Sequence, residues 1–541
     1  MPMQRHRVGT AAFLGWMLAA LLGLALAGCA SLPGPVTRAE SHALTATDDT
    51  RLGQEVRAET SAHPGQSGIH ALSNAEDAFA ARILLARHAQ RSLDLQYYIW
   101  HADTTGQLMW EAVWQAAERG VRVRLLLDDV NTQGLDATLA ALNAHPNIEV
   151  RLFNPFANRN FRAADFVLDF SRVNRRMHNK SFTADNQVTI VGGRNIGDEY
   201  FGANMEVGFQ DLDVLAIGPV VHEVSDQFDL FWNSASAYPA ASLLPPAPAG
   251  AAATLQQRWE RVHGDSHAQR YLEAVRQTPL VEGIGRGSVD FEWTTARVLH
   301  DDPAKVTEPT DRRDLQMMPL LGAALGKPRR EVDLVSPYFV PGKEGARALS
   351  DLARSGVQVR VLTNSLAATD VAPVHAGYSR YRQELLEAGV TLYELRPGMA
   401  VAPPVQADNA GDGGTEAPRS RIPGSGGSQG SSAASLHAKT FEVDRERIFV
   451  GSFNLDPRSA HLNTEMGVII DSPALAGELA RHFETRIPQA SYRVQLTPQG
   501  GMEWIETGPQ GETRYTSEPG ASPLRRLYID FLEILPIEGL L

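Results

Sequence analysis

The chain has 541 residues, 43% of them apolar, with 46 glycines, 32 prolines, a single cysteine and a formal net charge of −13. Such a length and apolar content suit two or more α/β domains with true cores. One cysteine excludes an intrachain disulfide and a cysteine-based metal cluster. The acidic balance weighs against a general nucleic-acid coat protein, whose affinity rests on a basic footprint.

Arg5 and Arg7 precede an apolar run from Ala11 to Ala27, which ends at Gly28-Cys29 and the breaker-rich "ASLPGP". A positive start, an apolar stretch and small residues before a break are the grammar of an export signal. The run is almost long enough to cross a bilayer as an uncleaved helix. Its end favours the first reading: "LAGC" resembles the lipobox of bacterial lipoproteins. That resemblance implies removal of residues 1–28, acylation of Cys29 and anchoring to a membrane of the cell envelope, facing the periplasm. Ala30 after the cysteine leans toward the outer membrane by the same resemblance. Residues 29–72 then read as a polar tether.

From Ser73 the pattern turns regular. Ser73 and Glu76 form a capping-box pattern, and Phe79, Ile83 and Ala86 follow at helical spacing, which predicts a helix over 74–90. "SLDLQYYIW" (92–100) predicts a strand, "GQLMWEAVWQAAERG" a helix ending at Gly120, and 121–130 a buried strand. A helix near 135–144 and a strand over 148–153 complete the series. Strands alternating with helices predict an α/β domain with a largely parallel sheet, spanning 73–238.

The series returns. "EVDLVSPYFV" (331–340) mirrors "SLDLQYYIWH", and "SGVQVRVLTNS" mirrors "RGVRVRLLLDD", each V-x-V-R strand following a helix that ends in glycine, Gly120 or Gly356. A duplication this long predicts two similar domains rather than a solenoid. Residues 239–287 read as a connector and 288–541 as the second domain. Residues 397–434, rich in Gly, Ser, Pro and Ala, read as a disordered insert in that domain.

Each copy carries one constellation at the same spacing, H-x-K-x4-D-x6-G-[GS]-x-N. The first is His178, Lys180, Asp185, Gly192, Gly193 and Asn195; the second is His437, Lys439, Asp444, Gly451, Ser452 and Asn454. His and Lys two apart share one face of an extended segment. The glycines are expected to let backbone approach a ligand closely. Imidazole, ammonium and amide converging on one spot suit a phosphodiester. A lone match would be a weak signal; two matches in the two halves of a duplication are a strong one.

This paired motif resembles the phospholipase D superfamily. Flanking text such as "QYYIW", "HPNIEVRLFNPF", "VGGRNIGDEYFGA" and "NLDPRSAHLNTEMG" is similar to its bacterial type C cardiolipin synthase branch, from about Gln66 to the C-terminus. The resemblance implies a duplicated fold: two α/β/α sandwich domains with mixed, mostly parallel sheets packed about a pseudo-two-fold axis. It implies one shared site, with His178 as nucleophile and His437 as acid and base. Lys180, Lys439, Asn195 and Asn454 would hold the non-bridging oxygens, while Asp185 and Asp444 read as structural or supporting groups rather than proton donors. An acidic residue further on is expected to orient each histidine, as in a triad. In the second copy this is Glu465; in the first, the same offset gives Glu206, but alignment of the following strand favours Asp211.

The implied activity is transfer of a phosphatidyl group between phospholipids, with no cofactor and no metal. The implied partners are phosphatidylglycerol, phosphatidylethanolamine as a second candidate donor, and the membrane itself; a helper protein stays open. Hydrolysis to phosphatidic acid and a periplasmic nuclease of the same superfamily are the alternatives, and a catalytically inactive scaffold is disfavoured by two intact motifs. Arg172, Arg175 and Arg176 read equally well as a steering patch for an anionic head group or as a solvated edge. Tyr338 and His375 resemble family positions without an assigned role. The C-terminal "PLRRLYIDFLEILPIEGLL" reads as a core-packing helix in preference to an interfacial one.

Overall fold

The computed structural model describes residues 32–34, 36–204, 208–286, 289–400, 435–535 and 538–541. Each copy of the duplicated sequence builds one large sheet. In the first, strands Ser67–Leu72, Asp213–Ile217, Val188–Gly192, Ser181–Ala184, Ser92–Tyr97, Arg122–Asp128 and Ile148–Phe153 lie side by side in that order. In the second, Ala296–His300, Met466–Ile470, Arg447–Gly451, Thr440–Val443, Glu331–Val335, Gln358–Asn364 and Thr391–Leu395 repeat it. The α/β duplication is as expected, but the sheets are not mostly parallel. Parallel pairing is confined to the three strands of each sheet that helices connect, for example Ser92–Tyr97 to Arg122–Asp128 through Thr104–Glu118. The other pairings are antiparallel. The turns that make hairpins, such as 185–187, are too short for a crossover.

The two sheets share a core. Val191, Val214 and Ala216 of the first face Ile448, Val450 and Val468 of the second in one buried cluster. Their chain neighbours Ile190, Leu215 and Ile217 point the other way, into the core beneath the outer helices Ala75–His88 and Thr104–Glu118. This is the period-two alternation of a sheet buried on both faces. In each copy the strand Asp213–Ile217 or Met466–Ile470 is followed by a helix, Pro219–Trp232 or Pro473–Thr485, on the inner side.

Two boundaries differ from expectation. Residues 38–72 are not a tether. Arg51–Thr60 is a helix, and Ser67–Leu72 sits inside the first sheet between Asp213–Ile217 and Glu292–Thr294. The chain before it is held by buried polar side chains of the domain: Arg124 donates to Ser41 O at 2.8 Å and Arg151 to Ala39 O at 2.6 Å. Backbone held this way carries no hydrophobic period, so it reads as loose chain. The domain junction also moves. Glu292–Thr294 belongs to the first sheet and Ala296–His300 to the second, so the crossover is at Thr295 rather than 288. The connector helices Ala251–Gly264, Ser266–Arg276 and Pro279–Gly285 thicken the outer layer of the first domain, with Trp259 tilted against Trp114 at 6.0 Å. The first predicted helix runs Ala75–His88, capped by Asn74 rather than Ser73. The leader and Cys29, Glu206, and 401–434 of the predicted insert lie outside the described residues. Among the described residues, no helix is long and apolar enough to cross a membrane.

Candidate active site

His178 and Lys180 lie in an extended segment just before strand Ser181–Ala184, not within the strand. That segment leaves its own sheet and pairs with the other half. Met177 bridges Thr464, and the His178 N–H donates to Thr464 O at 2.8 Å. The second copy does the reverse: Ser435–Leu436 pairs with Phe209–Gln210, and the His437 N–H donates to Gln210 O at 2.8 Å. The residue after Thr464 is Glu465, and the residue after Gln210 is Asp211. Each carboxylate is therefore delivered to the histidine of the other copy. His178 Nδ1 lies 2.9 Å from Glu465 Oε2, and His437 Nδ1 lies 2.5 Å from Asp211 Oδ2. Asp211 and Glu465, the acids the sequence offered, are thus both hydrogen-bonded to a histidine, each to that of the other half.

Both carboxylates are themselves fixed. Glu465 accepts from Ser452 Oγ at 2.5 Å and Ser459 Oγ at 2.7 Å. Asp211 is seated by Gly193, where a Cβ would fall 2.1 Å from Asp211 Oδ1. The glycine pair of the first motif thus admits a carboxylate rather than a ligand, a correction to the expectation. Arg194, fully buried, donates to Asp211 O at 2.6 Å and to Leu72 O at 2.8 Å.

Electrostatics follow from burial. Desolvation pulls His178 down to about 4 against the pull of Glu465, and pulls His437 down to about 3, helped by Lys439. Burial pushes Asp211 and Glu465 up, but the adjacent imidazoles, hydrogen bonds and lysines outweigh it and hold both below the usual carboxylate range. Each dyad therefore rests as carboxylate and neutral imidazole. With Nδ1–H donated to the carboxylate, Nε2 keeps its lone pair. Burial also lowers Lys439 to about 8 and moves Lys180 well below its ordinary value. The Lys180 ammonium donates to His178 O at 2.5 Å and lies 5.4 Å from the Tyr98 ring. Lys439 Nζ lies 3.0 Å from His437 Nδ1 and 3.2 Å from Nε2. Asn195 Oδ1 accepts from the Ile99 N–H at 3.1 Å, and its buried amide group lies against the Tyr200 side chain. The Asn454 carboxamide oxygen is buried and unpaired among the described residues.

The histidine values predict a stability profile. An unfolded histidine titrates near 6.5, whereas these two stay neutral to about 4 and about 3. Between those limits the unfolded chain binds more protons, so stability falls as pH drops below 6.5, by about 1.4 kcal/mol per unit of depression. Thermal melts from pH 7 to 4.5 are expected to show a falling Tm, with a shallower fall in His437→Gln.

Asp185 and Asp444 have a different task. Asp185 accepts from the backbone N–H groups of Gln90, Arg91 and Ser92, and Asp444 from those of Arg329, Arg330 and Glu331. Both sit at turns with positive φ, +51° and +58°, which aspartate tolerates. Each pins the entrance of the first parallel strand of its sheet. Asp444→Ala orphans three N–H groups and is expected to cost about 2–4 kcal/mol in urea denaturation, while activity per folded molecule stays within about threefold.

Several other readings change. Arg176 is buried against Asp128 at 3.1 Å, Arg172 pairs with Asp169 at 2.5 Å, and Arg175 donates to Lys305 O at 3.2 Å. The basic run is a set of internal braces, neither a steering patch nor a solvated edge. His375 is buried against Glu518 at 2.8 Å. Tyr338 donates to Asp370 at 2.9 Å. The sequence reading missed the aromatic walls. Tyr98 stands edge-on to His178 with ring centres 4.9 Å apart, and Tyr200 edge-on to His437 at 5.3 Å. Their signal was the tyrosine in "QYYIW" and in "IGDEYFG".

Comparison with known proteins agrees with this geometry. The family described as "Cardiolipin synthase, PLD-like domain" matches residues 83–232 and 321–487, which bracket both histidine motifs. Cardiolipin synthase C of Escherichia coli (strain K12) is 45% identical over 91% of this chain and 100% of its own length. A cardiolipin synthase of Geobacillus kaustophilus is 27% identical over 76% of this chain and 64% of its own. Among solved structures, the phosphatidylserine synthase of Haemophilus influenzae superposes with a TM-score of 0.54 at 12% identity, covering 90% of this chain and 100% of the other, and so shares the fold. Two copies of one motif, two crossed histidine–carboxylate pairs and these matches lead to one assignment: the chain belongs to the cardiolipin synthase family of phospholipase D-like proteins.

Proposed function

We propose that the chain is a phosphatidyltransferase that makes cardiolipin through a phosphohistidine. The observation that carries this reading is the pair of imidazoles, each oriented through Nδ1 by a carboxylate of the other half and each beside a buried lysine. His178 Nε2 attacks phosphorus, a P–N bond forms, and the P–O bond to the leaving alcohol breaks as His437 gives that oxygen a proton. The incoming glycerol hydroxyl of phosphatidylglycerol then loses its proton to His437 and attacks phosphorus, and the P–N bond breaks. His437 must carry a proton at the start; the anionic phosphodiester favours that charged form. Lys180, Lys439, Asn195 and Asn454 supply the donors for the non-bridging oxygens. These steps draw on side chains alone, so chelators are expected to leave the rate unchanged.

Acylation at Cys29, suggested by "LAGC", would hold the protein on the periplasmic side of an envelope membrane, the outer one by Ala30. Incorporation of labelled fatty acid, lost in Cys29→Ser, tests the anchor. For the activity, the protein is given vesicles of phosphatidylglycerol, with and without phosphatidylethanolamine, and products are identified by mass spectrometry. Cardiolipin is the expected product. Phosphatidic acid alone would mean a hydrolase, and no lipid product would overturn the reading.

A further inference from the structure

The C-terminal helix Pro523–Ile534 meets neither expectation fully. Ile529 and Leu532 pack on Leu366 and Ala376, as a core helix would. The opposite face, however, leaves Leu527, Phe531 and Ile534 exposed at 64%, 58% and 82%. Their spacing is that of a single helical stripe. A second apolar patch stands on the other half: Phe161, Val167 and Leu168 are 58%, 75% and 56% exposed. Single exposed leucines are ordinary, but contiguous patches are not.

Both patches belong to the same end of the molecule. Residues 154–177 leave the C-terminal end of strand Ile148–Phe153 and return carrying His178. The C-terminal helix is tied by Arg525 to Thr369 O at 2.9 Å, on the loop that leaves the C-terminal end of Gln358–Asn364. Arg458 links the first of these stretches to the tail beyond the helix, donating to Asn174 O at 2.9 Å and to Leu540 O at 2.5 Å. The start of the described chain reaches the same place. Leu32 and Pro33 line one cavity with Phe156, Ala157 and Asn160, and the Phe156 ring lies 5.5 Å from that of Phe166. Cys29 is three residues before Leu32, a reach of about 10 Å at most.

We infer that these two apolar patches form a bilayer-docking rim, one contribution from each half, which seats the site's end of the molecule on a phospholipid surface beside the N-terminal anchor. A second copy of this chain is the less fitting occupant, because the described chain begins beside this face at Leu32, three residues after the cysteine read as the lipid anchor. The rim deepens the phospholipid reading, but its binding test needs no turnover.

In full-length Cys29→Ser, the introduced thiol of Val167→Cys, Leu527→Cys or Glu55→Cys is the only one. Glu55 is the control, since Arg51 at the start of its helix bonds Gln90 at the far end of the first sheet. Each thiol carries a nitrobenzoxadiazole label, and the vesicles are phosphatidylglycerol with brominated acyl chains. Quenching at positions 167 and 527 and none at 55 is expected. No quenching at 167 and 527, or label burial that depends on protein concentration without lipid, overturns the rim. In a second measurement, the double variant Val167→Asp/Leu527→Asp is expected to lose more than about tenfold on vesicle lipid and less than about twofold on monomeric dihexanoyl phosphatidylglycerol. An unchanged rate on vesicles would also overturn it, whereas a wild-type protein inactive on both lipids would strike at the transferase reading instead.

Discussion

His178→Ala and His437→Ala are each expected to lower phosphatidyl transfer by about 10⁴-fold, with the double variant no slower than either alone. Residues that act in one covalent sequence are lost together, so their effects do not add. The two variants should part company on a substrate that needs no acid. With bis-p-nitrophenyl phosphate the leaving group departs unprotonated. His437→Ala should then recover much of the first step and accumulate phosphohistidine, detectable by rapid quench and phosphorus NMR, while His178→Ala should not. Recovery in His178→Ala instead would exchange the two roles. The two pairs are nearly symmetric, 2.9 Å for His178–Glu465 and 2.5 Å for His437–Asp211, so it is the kinetics of the two variants that distinguishes the roles.

Asp211→Asn and Glu465→Gln are expected to cost on the order of 10³-fold in kcat with little change in KM, since each carboxylate sets the tautomer and orientation of its imidazole without touching substrate. The informative feature is where each effect lands. Asp211→Asn should perturb the imidazole NMR signals of His437 and leave those of His178, although Asp211 and His178 share the first copy. Glu465→Gln should do the converse. A perturbation confined to the histidine of the same copy would refute the crossing.

Much of the site was legible in the chain because its chemistry is local. H-x-K places imidazole and ammonium on one side of an extended segment, and Asn179 between them turns the other way to accept from Thr464 Oγ1 at 2.8 Å. The repeat of the same spacing after more than two hundred residues declared a duplicated architecture with two equivalent halves. The third residue of the motif stands apart for the same reason: a turn aspartate that collects neighbouring N–H groups is a short-range device.

What stayed hidden depended on contacts between distant segments. The chain from Arg38 to Ser41 shows no hydrophobic period because Arg124 and Arg151 hold its carbonyls, and Ser67–Leu72 is fixed as a strand by its distant partner Asp213–Ile217. The basic run at 172–176 reads as surface in one dimension, yet Asp128 and the carbonyls of Lys305 and Asn154 absorb it in three. The exposed stripe on the last helix shows only once Ile529 and Leu532 are seen to take the core face.

From residues alone came the two motifs, the two α/β units and the two acids, Asp211 and Glu465, that are found hydrogen-bonded to the histidines. Which acid serves which histidine came from the packing. Thr464 pairs with Met177 and Gln210 with the His437 segment, so the residue following each pairing crosses into the opposite half. Spacing along a chain specifies which side chains share a strand face, whereas hydrogen-bond partners across a two-fold interface are chosen by how two sheets meet.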